Sequence, residues 1–263
     1  MPTLEARGVE LAWSERGEGE PVLLVHETAA TGSVWDAVAD ALTERARAIT
    51  YDRRGWGASS APEGYRRTTV EEQSEDAVAL LESAAAAPAV VIGAGVGAIV
   101  ALDLLLRRHD LVAGMLLVEP PILQMLPVAT EALSEDRRRL EMAAATGESV
   151  IDLYLSGGLP SLGAEVVRLP DEFIAPARQR PASVVAEMGI ATGWRAPLPS
   201  LAAAESRSLV VVAASTPPIV RDASAVLVER LAGADLREVG SGTAPPHLGA
   251  AAEVAALALE LSP

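Results

Sequence analysis

Between Pro88 and Arg108 the chain passes from an apolar run, through Gly93-Ala94-Gly95-Val96-Gly97, into a second apolar run that ends on two arginines. Three glycines in five residues permit a turn too tight for side chains, so a helix can start where a strand stops and lie close against it. The spacing predicts a strand at Pro88–Ile92, a sharp turn at Gly93–Gly97 and a helix over Ala98–Arg108. A strand that feeds at once into a covering helix is the building unit of a parallel sheet.

The same alternation runs along the rest of the chain. Strands are expected at Val9–Ser14, Pro21–Val25, Ala46–Tyr51, Leu111–Glu119, Leu209–Ala213 and Asp235–Val239. The unbroken apolar runs among them suit strands buried on both faces. Helices are expected over Trp35–Arg45, from Val70 (capped by Thr68-Thr69, with Glu71 and Glu72 in the first turn) to about Ala85, over Val220–Leu231 and over Ala250–Leu261. From Ile122 to about Arg207 the chain turns charged, proline-punctuated and helical in pattern. The expected architecture is an α/β fold, a mainly parallel doubly wound sheet, with residues 1–121 and 206–263 as its core and 122–205 as a helical cap. Half of the 263 residues are hydrophobic and Phe173 is the single phenylalanine, so Ala, Val and Leu must fill the core.

Composition removes several classes of function. With no cysteine, disulfides, thiol catalysis and cysteine-based metal sites are excluded. A formal net charge of −15 disfavours nucleic acid and anionic membranes. No run of about 20 uncharged apolar residues exists, so no membrane span is expected. Met1–Gly17 carries five charged residues and does not read as a signal peptide, which makes the cytoplasm the expected location. No metal cluster or phosphate loop is present, and the glycines at 93, 95 and 97 miss the dinucleotide fingerprint, whose third glycine stands one position later. No cofactor is expected. The expected partner is a small-molecule substrate, on a monomer or homodimer.

The strand, turn and helix at Val90–Arg108 form the setting of a nucleophile elbow, G-x-S-x-G, with Gly95 at its centre. Four further segments fall in order around it: Val25-His26, Tyr51-Asp52-Arg53-Arg54-Gly55-Trp56-Gly57, Val118-Glu119-Pro120-Pro121 and His247 before the last helix. Together these motifs resemble the α/β-hydrolase superfamily over nearly the whole chain, and the Glu119 segment resembles the cap entry of small actinobacterial-type members. The resemblance implies an oxyanion loop after Val25, oxyanion donors at the backbone amides of Thr28 and Val96, and a catalytic histidine at His247. It places Glu119 where some members carry the acid that orients the histidine.

Three departures from the family pattern shape the functional expectation. Gly95 leaves the nucleophile position degenerate, since glycine has nothing with which to attack a carbonyl. Glu27 stands where the oxyanion loop has glycine. The turn Ala214-Ser215-Thr216-Pro217 lacks the usual aspartate. Glu27, His247 and Glu119 are therefore the candidate catalytic groups, and burial is expected to raise the Glu27 pKa toward general-base use. His26, Trp35, Tyr154 and Trp194 are candidate substrate contacts, although the histidine matching His26 in the family usually bonds within its own loop. The expected function is acid–base chemistry without a nucleophile on an apolar, carbonyl-bearing metabolite: hydrolysis, elimination, cyclisation or rearrangement, by analogy in specialised-metabolite biosynthesis. A noncatalytic ligand-binding pseudo-hydrolase is the alternative. An esterase substituted at position 95 would leave Glu27 and the missing aspartate unexplained.

Overall fold

A computed structural model describes residues 1–262 apart from Glu165, Val167, Ala196 and Glu205. In chain order the elements are β1 (Thr3–Ala6), β2 (Val9–Arg16), β3 (Glu20–Val25), α1 (Asp36–Leu42), β4 (Ala46–Tyr51), α2 (Val70–Ser83), β5 (Ala89–Ala94), α3 (Val96–Arg107) and β6 (Val112–Val118). Six helices follow: α4 (Ala129–Thr146), α5 (Val150–Leu155), α6 (Asp171–Arg178), α7 (Pro181–Glu187), α8 (Ile190–Gly193) and α9 (Leu198–Ala203). The chain then returns through β7 (Ser208–Val212), α10 (Pro218–Arg230), β8 (Ala234–Glu238), α11 (Pro246–Gly249) and α12 (Ala251–Glu260).

The eight strands make one sheet in the order β1-β2-β4-β3-β5-β6-β7-β8. The pairs β1–β2 and β2–β4 are antiparallel and all other neighbours are parallel. Strand periodicity divides the core. In β3, Val22 and Leu24 face α1 and α12, while Leu23 and Val25 face α2 and α3. Both faces are thus covered at the centre of the sheet, which is why β3, β5, β6 and β7 read as continuous apolar runs, while the exposed edge strand β8 does not. From β3 the chain crosses to β4 on one side, then returns to β5 on the other. The loops leaving β3 and β5 therefore diverge, and a crevice opens at their carboxyl ends.

The turn after β5 is tighter than the sequence spacing predicts. The strand continues to Ala94 and α3 starts at Val96, so the reversal falls on Gly95 alone, with φ 53° and ψ −124°. Its neighbours explain the other glycines. A Cβ on Gly93 would come within 2.2 Å of the Gly97 carbonyl oxygen, and one on Gly97 within 2.3 Å of the Val25 carbonyl oxygen. Gly97 thus brings the start of α3 onto the end of β3.

Other boundaries differ for local reasons. β1 was not expected: it is a short edge strand, half of whose residues are exposed, and carries no apolar run. His247, expected in a loop, stands on the one-turn helix α11, where Pro246 takes the first position that proline tolerates. Helices α4–α9 all fall between β6 and β7, inside the expected 122–205 segment, whose last residue, Glu205, lies outside the described residues. No helix among the described residues is long and apolar enough to cross a membrane.

Candidate active site

His26 and Glu27 leave the end of β3 and are buried. The His26 ring is fully committed to backbone: Nδ1 donates to the Glu27 carbonyl at 2.8 Å and Nε2 accepts the Arg53 amide at 2.9 Å. A carbonyl can only accept and an amide can only donate, so the ring is the neutral Nδ1–H tautomer. Burial lowers its pKa well below the usual histidine value and the Arg53 charge lowers it further, against a smaller opposing effect of the Glu27 carbonyl. His26 has no free nitrogen for a ligand, which corrects its place among the substrate contacts.

Turning the chain at His26 aims Glu27 across the crevice. Its Oε1 stands 3.0 Å from His247 Nε2, and each side chain is 2% exposed. The two atoms are within ion-pairing distance, but the carboxylate lies off the ring N–H direction and no aligned hydrogen bond joins them. Burial pushes the Glu27 pKa up, but the charge and contact of His247 push it down, with help from Arg53, and the net shift is downward. The expectation of a raised Glu27 pKa is thereby corrected: the histidine partner outweighs desolvation, and the carboxylate is held ionised. Glu27 Oε2, Thr28 Oγ1 and His247 Nδ1 are buried without a hydrogen-bond partner among the described residues. Trp35, fully buried, closes the other side of the histidine, with ring centroids 4.7 Å apart at a 42° tilt.

Glu119 does not reach His247. It ends β6 in the left-handed region at φ 49°, and its Oε1 is taken by Arg168 and the Thr216 hydroxyl. Trp194 donates its indole N–H to Asp103 of α3 at 2.9 Å and lines an outer groove with Val70 and Met188. Tyr154, by contrast, lines a cavity of about 10 Å³ together with Val96, Pro121, Glu187 and Ile190, enough for one water-sized group. Val96, the second expected oxyanion donor, opens α3 directly after Gly95. A separate groove of about 170 Å³ runs between Ala29–Thr31 and the Phe173–Ala177 part of α6.

The turn after β4 is a buried polar frame. Asp52 accepts the amides of Gly32 and Ala58, both at 2.8 Å. Arg53 donates to the His26 carbonyl at 2.8 Å and holds Glu187 of α7 with two bonds of 2.7 and 3.0 Å, while Gln73 of α2 donates to the same carboxylate at 2.8 Å. Arg54 pairs with Asp76 of α2 at 2.6 and 2.7 Å. Sequence reasoning identified the charged turn but not the partners Glu187, Gln73 and Asp76, nor Arg168. Polar residues at helix positions that face the core are the signal that marks Gln73 and Asp76.

A group of three or more metal-binding side chains is not found among the described residues. The family model described as Alpha/beta hydrolase family matches residues 22–257. The chain is 38% identical over 127 residues to the uncharacterized hydrolase YraK of Bacillus subtilis (strain 168), an alignment covering 47% of this chain and 46% of that protein. It spans about half the length of the curated relatives it matches. Among solved structures, a hydrolase from Pseudomonas aeruginosa PA01 superposes with a TM-score of 0.75 at 21% identity, covering 99% of this chain and 97% of that one. The enol-lactonase from Burkholderia xenovorans LB400 superposes with a TM-score of 0.70 at 20% identity, covering 99% of both chains.

Proposed function

This chain belongs to the alpha/beta hydrolase family, and from that premise we propose that it is an enzyme that works by acid–base chemistry without a covalent serine, through Glu27 and His247. One observation carries the reading: two titratable groups, 220 positions apart in sequence, meet at 3.0 Å with each side chain 2% exposed. Glu27 holds the Nε2 side of the ring. The opposite nitrogen, Nδ1, is left to exchange a proton with a substrate or a water. The lowered Glu27 pKa makes the carboxylate a holder of charge more than the base itself, and His247 the group that carries the proton.

In this reading the amides of Thr28 and Val96 stabilise negative charge developing on a substrate carbonyl oxygen. Helices α4–α9 act as a cap that excludes water, with Tyr154 in its lining. The cavity of about 10 Å³ beside Val96 and Tyr154 holds one water-sized group, so a larger substrate bound there would have to displace the helices over it. Hydrolysis by activated water, elimination, cyclisation and rearrangement all fit one proton shuttle beside one oxyanion site. A role in specialised-metabolite biosynthesis rests on analogy with the lyases and cyclases of the superfamily.

A panel of small lactones, esters and β-hydroxycarbonyl compounds, assayed with wild type, Glu27→Gln and His247→Ala, tests the proposal. For a compound that wild type turns over, each variant is expected to lose about 10²-fold or more in kcat. Equal turnover by all three proteins would refute the acid–base assignment. A noncatalytic binding protein is the second reading. It draws on the absence of a carboxylate behind His247 among the described residues. It predicts ligand binding by calorimetry with no turnover of any bound compound.

A further inference from the structure

Arg168 lies on the inserted segment, with its side chain 10% exposed, and reaches three separate parts of the core. Its Nη1 binds Glu119 at the end of β6. Its Nη2 donates to Ser215 Oγ beyond β7 at 2.7 Å and to the Ala244 carbonyl at 2.9 Å, and its Nε donates to the Thr243 carbonyl at 3.2 Å. Thr216 adds its hydroxyl to the same Glu119 oxygen and accepts the Ala213 amide at 2.7 Å. One cap residue therefore gathers the carboxyl ends of β6, β7 and β8.

Thr243 and Ala244 belong to the loop that delivers His247. Ser241, Gly242 and Thr243 are exposed, so the core does little to fix this loop. The histidine has no carboxylate behind Nδ1 among the described residues. What sets the ring is the Trp35 face, the Glu27 contact and the position of its own backbone. Two guanidinium–carbonyl bonds fix that position three to four residues upstream, and the guanidinium neutralises Glu119, the carboxylate nearest in sequence to a classical orienting role.

We propose that Arg168 is a positioning residue that seats His247 against Glu27 by tying the loop before it to Glu119 and Ser215. This rests on the reading of Glu27 and His247 as the working pair. The chain has only three histidines, so their rings can be followed one by one in the ¹⁵N-labelled full-length protein by long-range ¹H–¹⁵N NMR. In Arg168→Ala the His247 ring ¹⁵N and ¹H signals are expected to move, and its Nδ1 and Nε2 shifts to draw together as the ring loses its fixed seat. Millimolar guanidinium is expected to reverse the change, and Arg168→Lys to give a smaller one. Arg178→Ala, a surface arginine of the same segment, is expected to leave His247 as in wild type. His26, buried in its backbone bonds, reports that the fold stands.

Unchanged His247 signals in Arg168→Ala, with His26 also unchanged, overturn the proposal. So does a change shared equally by His26 that guanidinium does not reverse, since that is general loosening. If Arg168→Ala does not fold, Arg168→Lys decides by the same two criteria. The readout needs no turnover, so loss of the acid–base reading would appear in the substrate panel and leave this result intact.

Discussion

At position 97 the absence of a side chain is a packing requirement. A methyl group there meets the carbonyl oxygens of Val25 and His26 at 2.3 and 2.6 Å, both backbone atoms that cannot swing aside. Gly97→Ala is expected to cost about 1–3 kcal/mol, read as a lowered urea midpoint with an unchanged slope. Gly95 differs, because it carries a chemical consequence as well as a conformational one. In the resembled family pattern a serine there pairs with the histidine, and here His247 Nε2 already has Glu27 at 3.0 Å. Gly95→Ser alone is therefore expected to hydrolyse p-nitrophenyl acetate at the background rate, whereas Gly95→Ser with Glu27→Gly is expected to exceed it. Equal rates for the single and double variants would count against Glu27 as the occupant of the nucleophile's side of the ring.

At the scale of elements, the join between α7 and the core is made by charge. Glu187 and Arg53 are 0% and 1% exposed and joined by two bonds. Glu187→Ala strips a buried guanidinium of its bidentate carboxylate and is expected to cost about 3–5 kcal/mol. Replacing both partners with apolar residues of similar volume is expected to cost much less, which a double-mutant cycle in urea would show. The contrast also explains what the sequence does and does not disclose. Strands and helices of the core were legible because apolar periods and glycine spacing act over a few neighbouring residues. Glu27 and His247 stood out by position in a resembled pattern, but nothing local says that they touch, or that the contact turns the carboxyl pKa down. Glu119 was read as a partner for His247. Arg168, 49 residues on in a segment without strong periodicity, takes it instead. Side-chain pairs of this kind are decided by how the inserted helices settle on the sheet, which no window of sequence contains.

For the whole molecule, two buried groups set the response to acid. His26 is neutral in the fold with a lowered pKa, so the unfolded chain binds a proton that the folded chain refuses. Its contribution is complete above the unfolded value of about 6.5 and is lost as pH falls below it, by up to about 1.4 kcal/mol per pH unit. Glu27, also lowered, holds its contribution above the ordinary carboxylate value and loses it only as pH falls through the folded one. Stability measured by urea unfolding is thus expected to begin falling just below pH 6.5, and His26→Gln is expected to flatten that first slope while leaving the steeper loss at lower pH. The buried Arg53–Glu187 pair has a further consequence, for descent and engineering. It divides one charge balance between the two parts of the chain, so neither can be exchanged alone. A graft of residues 122–205 from a relative with no acid at the Glu187 position would strand a buried cation. Recombination between such lineages is then filtered at this join, and a working chimera must inherit both members of the pair or neither.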